Sequence, residues 1–406
     1  MELTFDRADE AASDDRWIGA RPSPLAIAAL LATGVVGMEI AGVQPVLLGA
    51  LVAEHRLTAA GLGWATTAEF LTLGVGISLA GAFLKPQRLK LLAALAAVGV
   101  LVADLLAIGQ SGAAIIINRG LCGFGEGLMV WLSVCMIARS STPARWSGIF
   151  LTLQGIAQLA FTAILPLTLM DRYGANGGFA VLAGTAALAL VAAPFIPSSF
   201  VDLPGNDQRG VSAVFASPRA LGSLVSVFLV AAFSIGLFAY MAPLAEQAHL
   251  DPKVLGFAVS GVLATSIVGS TAAAAAAKRI SYYPVFLACA VVNVVVLALL
   301  AAPHGAVVFI AATGVFGFFW LFFLPFQLPL AIEADPSRRI AVVLPGAQLF
   351  GGAAGPFLCS LFVTDTDAHG ALLVCGVCFL VAFGLSTVLH MSHRRAARAE
   401  AALARG

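Results

Sequence analysis

Charge is what this sequence has least of. Only 11% of its 406 residues are Asp, Glu, Lys or Arg, against about 25% in an ordinary soluble chain. The 22 basic and 21 acidic residues nearly cancel, which leaves no basic surface for nucleic acid. Cysteine is scarce as well. The six (Cys122, Cys135, Cys289, Cys359, Cys375 and Cys378) all lie in apolar stretches, the wrong setting for a secreted disulfide framework. Cys375 and Cys378 form a C-x-x-C without a second ligand pair, so they read as packing, and no metal or cofactor is expected. There is no Walker-type phosphate loop. The first residues, 1–22, are acidic (Asp6, Asp9, Glu10, Asp14, Asp15) and lack the basic start, apolar core and cleavage site of a signal peptide. They read as a short disordered tail.

Hydrophobic residues fill the space that charge leaves: 60% of the chain, with a mean hydropathy of +0.98. Crossing a bilayer takes about 20 apolar residues. Twelve runs qualify, at 23–50, 59–84, 90–109, 111–138, 144–170 and 178–197, then 219–246, 252–277, 284–302, 306–333, 340–363 and 369–391. Between the third and fourth, only the turn Gly109-Gln-Ser-Gly112 separates two apolar stretches. The longest polar connection, 198–218, divides the chain into six-helix bundles at 23–197 and 219–393, with a basic tail at 394–406. Faint repetition fits a duplication: Gln158-Leu159 and Pro166 recur as Gln348-Leu349 and Pro356 with the same spacing. The expected fold is an all-α membrane protein of twelve transmembrane helices in two pseudo-symmetric bundles. Eighteen lysines and arginines fall on one side of these spans and three (Arg56, Arg172, Lys253) on the other. That bias puts both termini in the cytoplasm. The alanine-rich composition points to a bacterial inner membrane, and a monomer is expected.

Arg119 belongs to neither side. It lies inside the fourth run, in Asn118-Arg-Gly-Leu-Cys-Gly-Phe-Gly-Glu-Gly-Leu-Met129. Ionisable groups at membrane depth are expensive and mark ion or substrate pathways. Arg119, Gly123, Gly125 and Gly127 have the spacing R-x-x-x-G-x-G-x-G, which resembles the fourth-helix motif of the major facilitator superfamily. Twelve spans, internal termini and a mid-chain linker complete the resemblance. It implies a secondary transporter that works by alternating access between two six-helix halves. Two family features depart from the pattern. In the loop between spans two and three, Gly81-Ala-Phe-Leu-Lys85-Pro-Gln-Arg88-Leu-Lys90 has Lys85 where an acid is usual. Span five lacks the Gly-Pro signature of the drug–proton antiporters. A comparable pattern, Gly351-Gly352-Ala-Ala-Gly355-Pro356, stands in span eleven and reads as small-residue helix packing. Drug efflux by proton antiport is therefore the alternative, and proton-coupled transport of a small organic molecule the leading expectation. A polytopic membrane enzyme would need a polar catalytic cluster at the interface, where the short loops offer only isolated acids such as Glu333 and Asp335.

No histidine lies at mid-membrane depth, so carboxylates would carry any coupled proton. At about 1.5 Å per residue, Glu39, Glu69 and Arg119 lie at similar depths, some 12–16 Å from one face. They are expected to form a cluster across spans one, two and four. Glu126, two turns from Arg119, reads as a separate and deeper proton site, and Asp104 as a side chain snorkelling to the interface. Uncharged candidates for substrate contact are Gln44, Gln154, Gln158, Tyr240, Trp320 and Gln348. Any negative group on the substrate is expected to meet Arg119.

Overall fold

The computed structural model describes residues 17–140, 143–201, 217–276, 279–302, 305–334 and 340–403. Most of the acidic tail, most of the 198–218 linker, and Lys278, Asp335, Arg338 and Arg339 lie outside them. The described chain is helical, and its one β-bridge joins Gln87 to Ser199. Eleven helical segments are long and apolar enough to cross a membrane. With Ile340–Ser360 (21 residues) they make the expected twelve.

The spans of the first half are one (Pro24–Val36 continued by Ile40–Ala53), two (Ala59–Phe83), three (Leu89–Ala107), four (Ala113–Ile137), five (Pro143–Ile164) and six (Ala175–Ala192). Those of the second are seven (Pro218–Ala239 continued by Met241–Gln247), eight (Pro252–Ala276), nine (Tyr282–Ala301), ten (Ala306–Phe323 continued by Gln327–Ala334), eleven (Ile340–Ser360) and twelve (His369–Leu403). Their starts follow ordinary capping chemistry. Ser23 accepts from the Ala26 amide at 3.2 Å and Thr58 from the Gly61 amide at 2.9 Å, satisfying first-turn donors. The Gly109–Gly112 turn works because both glycines adopt positive φ, +79° and +58°, which costs a residue without a Cβ little.

Small residues set the helix contacts. Gly123 and Gly127 let span four rest on the backbone of span two at Glu69 and Leu73. Gly317 and Gly269 do the same for spans eight and ten, the matching pair in the second half. Gly351 and Gly355 seat span eleven on Phe228 and Ala232 of span seven, while Gly125 faces Val100 of span three. Pro356 lies within the span-eleven helix and turns its carbonyl toward Gly63.

Four spans are interrupted, which hydrophobic periodicity does not reveal. Span one breaks at 37–39 and span seven, its counterpart, at Tyr240. Spans five and ten pass through short 3-10 turns at Leu165–Leu167 and Leu324–Phe326, each built around a proline that lacks an amide donor. Pro45 lies inside a continuous helix, so the interruption in span one precedes it.

Two faces are defined by the loops. The near face carries residues 84–88 and the ends of the described chain; the far face carries 54–58, 108–112, 248–251 and 361–368. The halves meet mainly through spans two and eleven and through five and eight. The Thr67 hydroxyl donates to Ala353 O at 3.0 Å, and Asp365 accepts from the Ala59 amide at 2.9 Å. Trp64 meets Phe357 edge-on at 4.9 Å. Gly63 packs on Tyr240, and Gly49 on Ala242. All these contacts lie toward the far face. On the near face, the basic Lys85–Lys90 turn binds its own half: the Leu89 amide donates to Ser198 O at 3.0 Å and the Phe200 amide to Pro86 O at 2.8 Å.

Candidate functional site: a buried charge cluster

Because Gly123 brings span four onto the Glu69 backbone, the Arg119 side chain one turn away must enter the gap between spans two and three. There it is fully buried. Both Nε (2.9 Å) and Nη2 donate to Glu69 Oε1. Nη1 donates to Asp104 Oδ1 at 2.8 Å, and Nη2 also reaches Glu126 Oε1 at 3.4 Å. The Cys122 thiol lies 3.5 Å from Glu126 Oε1 and 3.7 Å from Asp104 Oδ1. The Phe179 ring of span six lies 5.7 Å from the guanidinium carbon.

Three expectations change here. Asp104 is 1% exposed and binds the arginine instead of snorkelling. Spans three and four are an antiparallel hairpin, registered by Asn118 Nδ2 donating to Ala103 O at 2.7 Å, and this sets residue 104 beside residue 119. Glu126 is a direct neighbour of Arg119. The two-turn separation is measured along the axis, whereas the glutamate leans toward its helix N-terminus and the guanidinium reaches back. Glu39 is buried near Thr185 and Asp104 and forms no ion pair with Arg119. It lies in the break of span one, held there by Gln158 Nε2 donating to Met38 O at 2.7 Å.

Every guanidinium nitrogen is given to a carboxylate, which uses four of the five N–H donors and leaves a single Nη1 N–H, fully buried, for any further anionic group. Charge counting is decisive for the rest. One guanidinium neutralises one of Glu69, Asp104 and Glu126, and Glu39 adds a fourth carboxyl nearby. A bare buried carboxylate costs several kcal/mol even after relaxation, roughly, so the remainder take up protons or a cation. Unpartnered buried oxygens remain on Glu39, Glu69 and Glu126. Glu69, Cys122 and Glu126 each place a ligand atom within 4.8 Å of the others, yet the guanidinium already sits against those oxygens, where a metal ion would have to go.

The uncharged candidates separate into groups. Gln44 is buried, with its side chain against the Glu69 carboxylate. Gln154, one turn before Gln158, is half-buried. In the second half, Gln348 Nε2 donates to Gln327 Oε1 at 2.8 Å. Half-buried Trp320 lies 5.6 Å from Phe316 and 5.5 Å from Phe238, ring to ring. Tyr240 is fully buried in the contact between the halves, a place in the far-face seal. Sequence reasoning set Asp104 at the interface, read Cys122 as one more apolar-span cysteine and did not name Thr185. For Cys122 a signal exists, since it lies three residues after Arg119 and four before Glu126 on one helical face.

Two cavities open at the far face. One, about 720 Å³, is lined by Arg56, Trp64, Glu246 and Asp365; the other, about 600 Å³, by Glu54, Asp171, Glu246 and Lys253. No member of the charge cluster lines either.

Residues 29–344 match the family described as Major Facilitator Superfamily. Solved structures share the fold at low identity. A bacterial homologue of the human lysosomal transporter Spinster, inward-facing and unoccupied, superposes with a TM-score of 0.69 at 13% identity, covering 92% of this chain and 98% of that one. The nucleoside transporter NupG gives a TM-score of 0.69 at 14% identity, covering 92% and 99%. No curated protein sequence matches the chain.

Proposed function

The chain belongs to the major facilitator superfamily, a transporter and not an enzyme, and on that premise we propose that it couples proton movement to transport of a small organic molecule. The observation that carries this reading is the excess of carboxylates over positive charge in the Arg119 cluster: Glu69, Asp104 and Glu126 share one guanidinium inside the first half. Such a site holds protons when closed and releases them when water reaches it. Glu126, whose contact with Arg119 is the longest of the three at 3.4 Å, and Glu39, which forms no ion pair with it, are the exchanging groups; Glu69, bonded twice to Arg119, is the fixed counter-ion.

Alternating access supplies the water. Contacts between the halves crowd the far face, and these are the contacts that must part when the site opens to that side. The positive-inside bias makes the near face cytoplasmic, in a bacterial inner membrane. The substrate binds between the halves at mid-depth, its polar part toward Gln44, Gln154 and the Gln327–Gln348 pair and its apolar part toward Trp320. With Arg119 fully buried and outnumbered by the carboxylates around it, a neutral or cationic substrate fits better than an anion. The working unit is a monomer of two bundles, 23–197 and 219–393.

The test is flux of an organic-compound panel into proteoliposomes under an imposed pH gradient. Wild type should concentrate at least one compound when the gradient is present and not when it is collapsed. Glu126→Gln and Glu39→Gln should retain exchange of that compound but lose accumulation. Accumulation that persists at wild-type level in both variants would exclude these carboxylates from coupling.

A further inference from the structure

Spans seven, eleven and twelve enclose two thiols beside the far-face seal that the transport reading leaves unused. Cys359 and Cys375 are 0% and 1% exposed, and their sulfurs lie 3.9 Å apart. The pairing joins two spans and bypasses the C-x-x-C neighbour Cys378. Gly236 of span seven makes room for it: a side chain there would meet the two sulfurs at 3.2 and 3.4 Å. Backbone carbonyls hold the thiols in place, with Cys359 Sγ 3.8 Å from Ala371 O and Cys375 Sγ 3.7 Å from Phe233 O. Four residues beyond Gly236, span seven breaks at Tyr240.

We propose that this pair is a dithiol site for a soft, thiophilic centre that arrives and stays electrically neutral, namely a trivalent arsenical. Bonds from sulfur to a soft centre are about 2.3 Å long, taking zinc–thiolate as the guide, and two of them meeting at about 100°, the pyramidal angle of a centre with a lone pair, span about 3.5 Å, so the sulfurs need to approach by only about 0.4 Å. One atom can therefore bridge the thiols with little movement of either helix. Soft thiolates select soft partners, and apolar surroundings disfavour a hydrated cation. The step balances without redox chemistry. Both S–H protons pass to the oxygen of an R–As=O group, two As–S bonds form, and the oxygen leaves as water. Arsenic remains trivalent, and the product carries no charge.

The experiment exposes the purified full-length protein to phenylarsine oxide and reads intact mass, then maps the adduct after proteolysis. The expected result is one phenylarsenic group per folded chain, joining the Cys359 and Cys375 peptides and removed by excess small dithiol. Cys359→Ala and Cys375→Ala should each lose it, while Cys378→Ala and Cys122→Ala keep it, all four running as single species on size exclusion. If one alanine variant fails to fold, the peptide map of wild type decides alone. An adduct on other cysteines, or uptake by the detergent-unfolded chain but not the folded one, overturns the proposal.

Discussion

Replacing Arg119 with methionine removes one buried charge and keeps most of the side-chain stem. Wild type holds Glu69, Asp104 and Glu126 around that charge through hydrogen bonds from all three guanidinium nitrogens. Breaking a buried ion pair by removing one partner costs about 3–5 kcal/mol. For a half of this size, each kcal/mol moves the melting temperature by about 2–4 °C, so the variant should melt roughly 6–20 °C below wild type at pH 7.5. The sign of the pH dependence follows from charge. Loss of the arginine leaves one more carboxylate without a counter-charge, and protonation removes that penalty. The deficit should therefore shrink as pH falls toward 5. Adding Glu126→Gln should recover part of it at pH 7.5, because two carboxylates then remain in place of three and neighbouring substitutions couple. The assay is thermal unfolding in detergent, read by the surviving monomer peak on size exclusion. A deficit under about 1 kcal/mol, the size of an exposed pair, or one unchanged between pH 5 and 7.5, would refute the charge-counting argument.

Gly123→Val places a branched side chain against Glu69 O and the Thr72 hydroxyl; overpacking of this kind costs about 1–3 kcal/mol, visible as a lower melting temperature with weaker transport. Gln158→Ala leaves Met38 O unbonded in the span-one break, a loss of about 1–3 kcal/mol that Gln158→Glu, which offers no donor when ionised, should share. Asp365→Ala removes the acceptor of the Ala59 amide across the far face, and hydrogen exchange at that amide should then speed up. Amides donated by His369, together with the Gln247 and His369 side chains, hold the exposed Asp367 carboxyl below its usual range. Its contribution is present above about pH 4 and lost as pH falls through the folded value, so hydrogen exchange at Ala368, which donates to Gln247 Oε1, should stay slow down to that pH.

Hydropathy made the twelve spans legible, and the Gly109–Gly112 turn was readable because glycine is what positive φ requires. Their interruptions were not, since Pro45 sits in intact helix while the break at 37–39 carries no proline. For the site, sequence named Arg119, Glu69, Glu126 and Glu39 and set Glu69 level with Arg119, where the two do bond, but it placed Glu126 too far from the arginine and Glu39 too near. Counting residues along separate helices gives depth and says nothing of register between them. Asp104 shows the consequence: five residues from its expected span end it looked interfacial, and only the Asn118–Ala103 bond reveals that the hairpin carries it to Arg119.

The cluster lies wholly within the first half, so a change in its charge must reach the contact between the halves through a shared element. Span two is that element. Glu69 faces span four with no exposure, while Thr67, two residues earlier, bonds Ala353 of span eleven. Ala59 and Gly63, on the same helix, bind Asp365 and pack on Tyr240. A helix that grips the arginine with one side and the opposite half with the other cannot shift in response to one without moving the other. Removing the charge from the Glu69–Arg119 bond with Glu69→Gln, which keeps an acceptor but loses the ion pair, should therefore loosen the far face as well. Hydrogen exchange at the Ala59 amide, which donates to Asp365, measures this, and an unchanged rate in a folded Glu69→Gln protein would show that the two sides of span two are uncoupled.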